Sequence, residues 1–284
     1  MAQFEIRDLT PAFGSEVVGF EPVELDADSR AVLRRAFDER GLLVFRDLDI
    51  DRAYQTSLVD GLIAYDRPAD GDLNDNYVVS NKEPGGYAPY GRLLFHSDMM
   101  WAPEPFQVLS LYGLEVEPPS VPTAFVSTTR AWDTLPDDLR ARVEGLHVVN
   151  VTGQQRRGGD DDEDLLDSIR EHEQSITTPI GYRHPRTGRT LLYVSQMNTR
   201  EIVELPHDES EELIEALFAH LYDPAQVIDH DWRQGDLVAW DNFAVQHARK
   251  TVQTDGPVRT LRKVVSPIPS LAGIAETPRF SKVG

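Results

Sequence analysis

A mainly β fold with flanking helices is predicted for this chain by three features. Short apolar runs bounded by Gly, Pro and Asp recur along its length, helical periodicity is confined to a few segments, and strands and helices do not alternate regularly. That pattern fits an antiparallel sandwich or barrel better than a doubly wound parallel sheet. With 284 residues, 40% of them apolar, the chain suits one large domain over 1–284.

Residues 3–20 carry Pro11, Gly14 and Gly19 between apolar stretches and read as two short strands joined by a turn. Asp26 or Asp28 can cap a helix over 29–39, where Val32, Leu33, Ala36 and Phe37 recur at helical spacing, and Gly41 ends it. Leu42-Leu43-Val44-Phe45 reads as a buried strand, followed by a second helix over 51–64. The polar segment 66–93 is rich in Gly, Pro, Asp and Asn and holds one strand signal, 77–80. Loops of that length in compact domains are commonly functional or disordered, so 66–93 is a candidate lid.

Strands follow over 107–116 and 123–127, separated by a stiff proline turn at 118–122. Thr128 or Thr129 can cap a short helix over 131–135, and Pro136 opens another through 144. The segment 153–173 contains the acidic run Asp160-Asp161-Asp162-Glu163-Asp164, which reads as a solvated surface loop. A hairpin turning at 185–188 comes next, then a helix over 208–221 with Leu213, Leu217 and Leu221 on one face, stopped by Pro224. Strands are expected over 226–231, 236–240 and 258–265.

Composition narrows the function classes. Acidic residues number 48 against 28 basic, a formal charge of -20, which repels polyanions and argues against nucleic acid as a partner. A small anion is still admissible, because a few pocket cations act within a screening length of about 8 Å. With no cysteine, disulfides and thiolate metal sites are excluded, and any metal must use His, Asp, Glu or backbone oxygen. No run approaches the roughly 18 apolar residues of a membrane span, and the N-terminus lacks a basic region followed by an apolar one. A soluble, cytoplasmic protein acting on a small molecule, with no membrane partner, is the expectation.

Within Leu94-Phe95-His96-Ser97-Asp98-Met99-Met100-Trp101, His96 and Asp98 stand two positions apart. On an extended strand they would share a face and could grip one metal ion, for which imidazole with carboxylate suits Fe(II), Mn(II) or Zn(II). Far along the chain, Gly235 to Asn242 runs through a buried strand and the polar Asp241-Asn242 pair to His247, a plausible third-ligand station. Twelve positions later comes Arg259; on a strand it shares a face with Leu261 and Lys263 while Arg262 points away, and an inward arginine needs a buried anion.

His96-x-Asp98, Thr123, His247 and Arg259, in that order and approximate spacing, resemble the taurine dioxygenase-like (TauD/TfdA) family of Fe(II)/2-oxoglutarate-dependent oxygenases. The similarity of order runs from the N-terminal strands through Trp240-Asp241-Asn242 to about Val265. The resemblance implies a double-stranded β-helix, or jelly roll. It also implies His96, Asp98 and His247 as iron ligands and catalytic centre, with Thr123 and Arg259 binding the distal carboxylate of 2-oxoglutarate. O2 would be the second cosubstrate, succinate and CO2 would be released, and a small, anionic organic substrate would be hydroxylated. Asp98 in place of a small residue argues against a halogenase.

In sulfonate-specific members of the family a second arginine on the closing strand binds the sulfonate, and the position aligned with it here is Lys263, a point charge without the arginine fork. Either Arg262 or Lys263 could contact a ligand. Other candidate pocket residues are Tyr77, Asn81, Arg92, Phe95, Met99, Trp101, Met197 and Asn198. Alternatives with the same cofactors are desaturation, oxidative cleavage and rearrangement; outside that chemistry stands a non-catalytic metal-binding protein of the same fold. A zinc hydrolase would need a general base and would not need Arg259. The resemblance also admits a homo-oligomer.

Overall fold

The computed structural model of the chain describes residues 4–68, 78–153, 166–169, 173–267 and 279–282. The N-terminal strands β1 (Glu5–Asp8) and β2 (Ser15–Val18) pair antiparallel and lead to α1 (Ala27–Arg40). The Asp26 carboxylate accepts the Ser29 N–H at 2.7 Å and caps the first turn. Gly41 stops the helix in the left-handed region at φ 70°, where its N–H reaches the Phe37 carbonyl. β3 (Leu42–Phe45) is buried throughout, and α2 (Arg52–Leu62) packs beside α1.

Next come β4 (Val78–Ser80), β5 (Gly91–His96), β6 (Val108–Val116) and β7 (Thr123–Ser127). The helix α3 (Thr128–Asp133) starts earlier than the threonines suggest, because Ser127, not Thr128 or Thr129, is the cap: its hydroxyl accepts the Arg130 N–H at 3.1 Å. After α4 (Asp137–Val143) follow β8 (His147–Val151), β9 (Leu166–Ile169), β10 (Ser175–Pro179), β11 (Gly181–Arg183), β12 (Thr190–Leu192), β13 (Thr199–Ile202) and α5 (His207–Leu221). β14 (Ile228–His230), β15 (Leu237–Asp241), β16 (Val245–Val252), β17 (Arg259–Ser266) and β18 (Arg279–Lys282) complete the described elements.

The strands make the jelly roll that the sequence predicts. A seven-stranded sheet in the order β1-β2-β3-β15-β6-β17-β4 faces a four-stranded sheet, β14-β7-β16-β5. Leu42, Val44, Leu109, Phe125, Trp240, Val245 and Leu261 fill the space between them. α1 and α2 cover the outer face of the large sheet through Leu33, Phe37, Leu58 and Leu62, while α3 and α5 pack with the β8 sheet through Ala131, Leu213, Leu217 and Leu221. Burying each of these leucine and phenylalanine side chains contributes about 1.5–3 kcal/mol, which holds the helices against their sheets.

In three places the structure adds to what the sequence shows. The site strand β16 is absent from the sequence reading because its inward face is polar: His247 and Arg249 replace the apolar half of the alternation. Within the expected surface loop 153–173, residues 166–169 form a strand, since their partner β18 lies more than a hundred positions away where no local pattern shows it; 154–165 and 170–172 lie outside the described residues. Of the candidate lid, 69–77 also lie outside them, whereas 78–93 is fastened down: Arg249 donates to the carbonyls of Ala88, Tyr90 and Gly91 at 2.8–2.9 Å, and Ser80 Oγ pairs with Thr260 Oγ1 at 2.8 Å.

Candidate metal and cosubstrate site

Antiparallel pairing of β16 with β5 sets His247 directly opposite His96, with ring centroids 4.2 Å apart. Trp240 and Phe125 wall the His247 ring at 4.9 and 6.5 Å. Asp98 is placed differently from the expectation. β5 ends at His96, and Asp98 sits in a turn where Met99 has φ 60°, so the two side chains converge through the turn and not through strand alternation. His96 Nε2 and His247 Nε2 lie 3.2 and 3.9 Å from Asp98 Oδ1.

The protonation states suit a cation. His96 Nδ1 is 2.7 Å from the Leu94 carbonyl, which can only accept, so Nδ1 carries the hydrogen and Nε2 offers its lone pair. Burial, reinforced by His96 next to it, pushes His247 well below the ordinary imidazole range and keeps it neutral. For Asp98, burial alone would raise the carboxyl, but the Lys263 ammonium paired with it holds it well below the usual carboxylate range. One ligand atom from each of the three residues lies within 4.8 Å of the others. Two imidazoles and one ionised carboxylate, closely gathered, fit a divalent first-row metal.

A second buried centre lies deeper between the sheets. Arg259, on β17, is 4% exposed and reaches Thr123 on the facing sheet: Nη2 donates to Thr123 Oγ1 at 3.0 Å and Nε to the Val121 carbonyl at 3.0 Å. Trp232 Nε1 donates to the same hydroxyl at 2.9 Å, and the guanidinium lies over the Trp232 ring at 5.8 Å. Neither Arg259 nor the neighbouring Arg249 has a carboxylate partner among the described residues. Burial pushes both down, Arg249 to about 10, and Arg249 adds to the effect on Arg259. Two cations buried without an acid create demand for an anion.

The candidate substrate residues divide. Lys263 ion-pairs with Asp98 Oδ2 and lies 5.6 and 5.9 Å from the Tyr87 and Phe106 rings, and Met99 and Trp101 belong to the Asp98 turn. Arg92 lies on β5, whose register shifts between Leu93 and His96, so strand alternation does not carry it to the His96 side. Arg262 instead points at α2, donating to Gln55 and the Ile50 carbonyl. Phe95 faces away from the metal residues and stacks on Tyr222 at 4.6 Å. Met197 follows it, its N–H on the Phe95 carbonyl at 3.2 Å. Asn198 is tied to the Val151 carbonyl at 3.0 Å, and Asn81 clamps the approach to Arg259 by accepting the Arg259 N–H and donating to the carbonyls of Gln253 and Pro257. These last two are polar because backbone groups need partners, which spacing alone cannot distinguish from ligand contact. Tyr77 lies outside the described residues. Sequence reasoning passed over Trp232, Arg249 and the role of Asn242; only the buried polar face of β16 signals any of them.

A two-histidine, one-carboxylate centre beside a buried, acid-free arginine pair within a jelly roll defines a metal-dependent oxygenase that takes an acidic cosubstrate. Residues 5–265 match the taurine catabolism dioxygenase TauD, TfdA family, and the chain belongs to that family. It is similar to pentalenolactone F synthase of Streptomyces avermitilis, 31% identical over 68% of this chain and 67% of that protein. It is likewise similar to (S)-phenoxypropionate/alpha-ketoglutarate-dioxygenase of Sphingobium herbicidovorans, 29% identical over 86% of this chain and 88% of that one. The crystal structure of AAD-2 with Mn(II) and N-oxalylglycine superposes with a TM-score of 0.71 at 25% identity, over 92% of this chain and 96% of that one. The protein is thus a non-haem Fe(II)-, 2-oxoglutarate- and O2-dependent dioxygenase acting on a small organic substrate. No helix among the described residues is long and apolar enough to cross a membrane.

Proposed function

We propose that His96, Asp98 and His247 hold Fe(II), that Thr123 and Arg259 hold the distal carboxylate of 2-oxoglutarate, and that the enzyme hydroxylates a small organic anion. The observation that carries this reading is the separation of two buried polar centres, one a cluster of two histidines and a carboxylate, the other an arginine with no acid beside it among the described residues. When bound, iron with 2-oxoglutarate and O2 supplies oxidative decarboxylation to succinate and CO2, coupled to insertion of one oxygen into a substrate C–H bond. The chain's own part is to place and protect. Arg259 and the Thr123 hydroxyl orient the cosubstrate by donating charge-assisted hydrogen bonds to its distal carboxylate, and Trp232 Nε1, which donates to the same hydroxyl oxygen, fixes it in place. His96 keeps its proton on Nδ1, leaving Nε2 to the metal.

Substrate charge is inferred from Lys263. Its ammonium, paired with Asp98, lies near the Tyr87 and Phe106 rings, so an anionic substrate flanked by aromatic surface would meet positive charge there. The phenoxypropionate relative fits this chemistry.

The test adds Fe(II) and 2-oxoglutarate under anaerobic conditions, records the charge-transfer absorption, then admits O2 and measures succinate. A panel of aryloxy acids, amino acids, sulfonates and sulfates is screened for a mass gain of one oxygen. Succinate release that survives His96→Ala or His247→Ala would sink the metal assignment. Arg259→Ala removes a charge-assisted contact of about 2 kcal/mol and should raise the 2-oxoglutarate requirement on the order of 30-fold, with metal affinity unchanged.

A further inference from the structure

Asp98 is the one proposed ligand whose backbone belongs to no strand. His96 and His247 are registered against each other on β5 and β16, whereas β5 has ended before Asp98 and the chain bends through Met99 at φ 60°, a conformation that side-chain-bearing residues adopt only when held. The groups that hold it come from Asn242. Asn242 Oδ1 accepts the Asp98 N–H at 2.8 Å, and Nδ2 donates to the Asp98 carbonyl at 2.8 Å and to the Phe106 carbonyl at 3.0 Å. The Asn242 backbone N–H donates to the Gln107 carbonyl at 2.9 Å, and the residue is 1% exposed.

The clamp is itself anchored. Asp241 accepts the N–H groups of Phe243 and Ala244 at 3.0 and 3.1 Å, closing the turn that delivers β16, and is fixed in turn by His184 Nε2 at 2.9 Å and by Arg186. His184 Nδ1 accepts the Arg186 and Thr187 N–H groups at 3.0 and 3.1 Å, so its hydrogen is on Nε2, facing Asp241. Five residues beyond Asn242 is His247. A primary amide of this length can receive one N–H and donate to two carbonyls at once; aspartate has no donor, and leucine of similar shape has neither group.

We propose that Asn242 is a positioning residue of the metal centre: it substitutes for the missing strand pairing at Asp98 and sets the distance between the carboxylate and His247. The inference rests on the assignment of His96, Asp98 and His247 as ligands.

The test measures Mn(II) binding to the metal-free, folded protein by calorimetry, with unfolding monitored separately. Asn242→Ala should weaken Mn(II) by roughly 10- to 100-fold, the usual effect of losing a group that orients a ligand. The control is Asn150→Ala, an equally buried asparagine bonded to Thr178 and Thr199 in the β8 sheet, which should lower Tm and leave Mn(II) affinity unchanged. His247→Ala tests the underlying assignment: if it binds Mn(II) normally, the ligand set is wrong. If it loses Mn(II) while Asn242→Ala binds like wild type, only the positioning role is overturned. In the unaltered protein, the Asp98 amide should be protected from hydrogen exchange; exchange at the rate of an open turn would overturn the clamp without any variant.

Discussion

Lys263 ion-pairs with Asp98 across the space between the two sheets, and both side chains are largely buried. Removing the ammonium leaves a buried carboxylate without its ion-pair partner, at a cost of about 3–5 kcal/mol. Lys263→Met should therefore lower the Tm of metal-free protein by roughly 5–10 °C, and saturating Mn(II) should recover most of the loss. An equal loss with and without Mn(II), measured by differential scanning fluorimetry, would show that the lysine serves packing instead. Residues of this kind were partly legible in the sequence. His96, Asp98, His247, Thr123 and Arg259 carry unusual side chains in recognisable order, and the structure brings the first three together and pairs the last two. Asn242 and Asn81 carry nothing that marks them apart from loop asparagines, because their role is to satisfy backbone groups up to 178 positions distant.

Strand β16 shows where element prediction fails and why. Continuous apolar runs identify β3 and β15, whose side chains are buried in the core, but β16 turns His247 and Arg249 inward, and its pattern reads as polar. Helices were easier: α1 and α5 show leucines and phenylalanine at one face over three or more turns, and tertiary packing left those faces where periodicity put them. Arg249 also gives β16 a function beyond carrying a ligand. Its guanidinium satisfies three carbonyls at Ala88, Tyr90 and Gly91, so the segment entering β5 is fastened to the strand beside it. Arg249→Met should raise amide exchange across 88–91 by on the order of 10-fold while the β8 sheet is unaffected. Uniform loss of protection throughout the protein would mean that the arginine supports the whole fold and not this segment.

For the molecule as a whole, buried titratable groups predict the response to acid. Burial pushes His230 below the ordinary imidazole value in spite of Asp236 at 3.2 Å, and His247 is lowered likewise. Folded values below unfolded ones mean that the unfolded chain binds more protons, so this stability is present above about pH 6.5 and is lost as pH falls towards the folded values. Asp241 adds a second stage: burial would raise it, but His184 and Arg186 hold it down, and its contribution is lost below about pH 4. Urea unfolding of metal-free protein should show ΔG declining from neutral pH downward, with His230→Gln reducing the first decline; a slope identical to wild type would refute that role. The Asn242 clamp bears on how the enzyme is made. Asp98 and Asn242 are 144 positions apart, a gap that takes roughly 7–30 s to synthesise at 5–20 residues per second. Throughout that interval the nascent chain displays His96 and Asp98 without the Asn242 clamp, so on the proposed ligand set the metal centre is complete only once β16 has been made and paired with β5.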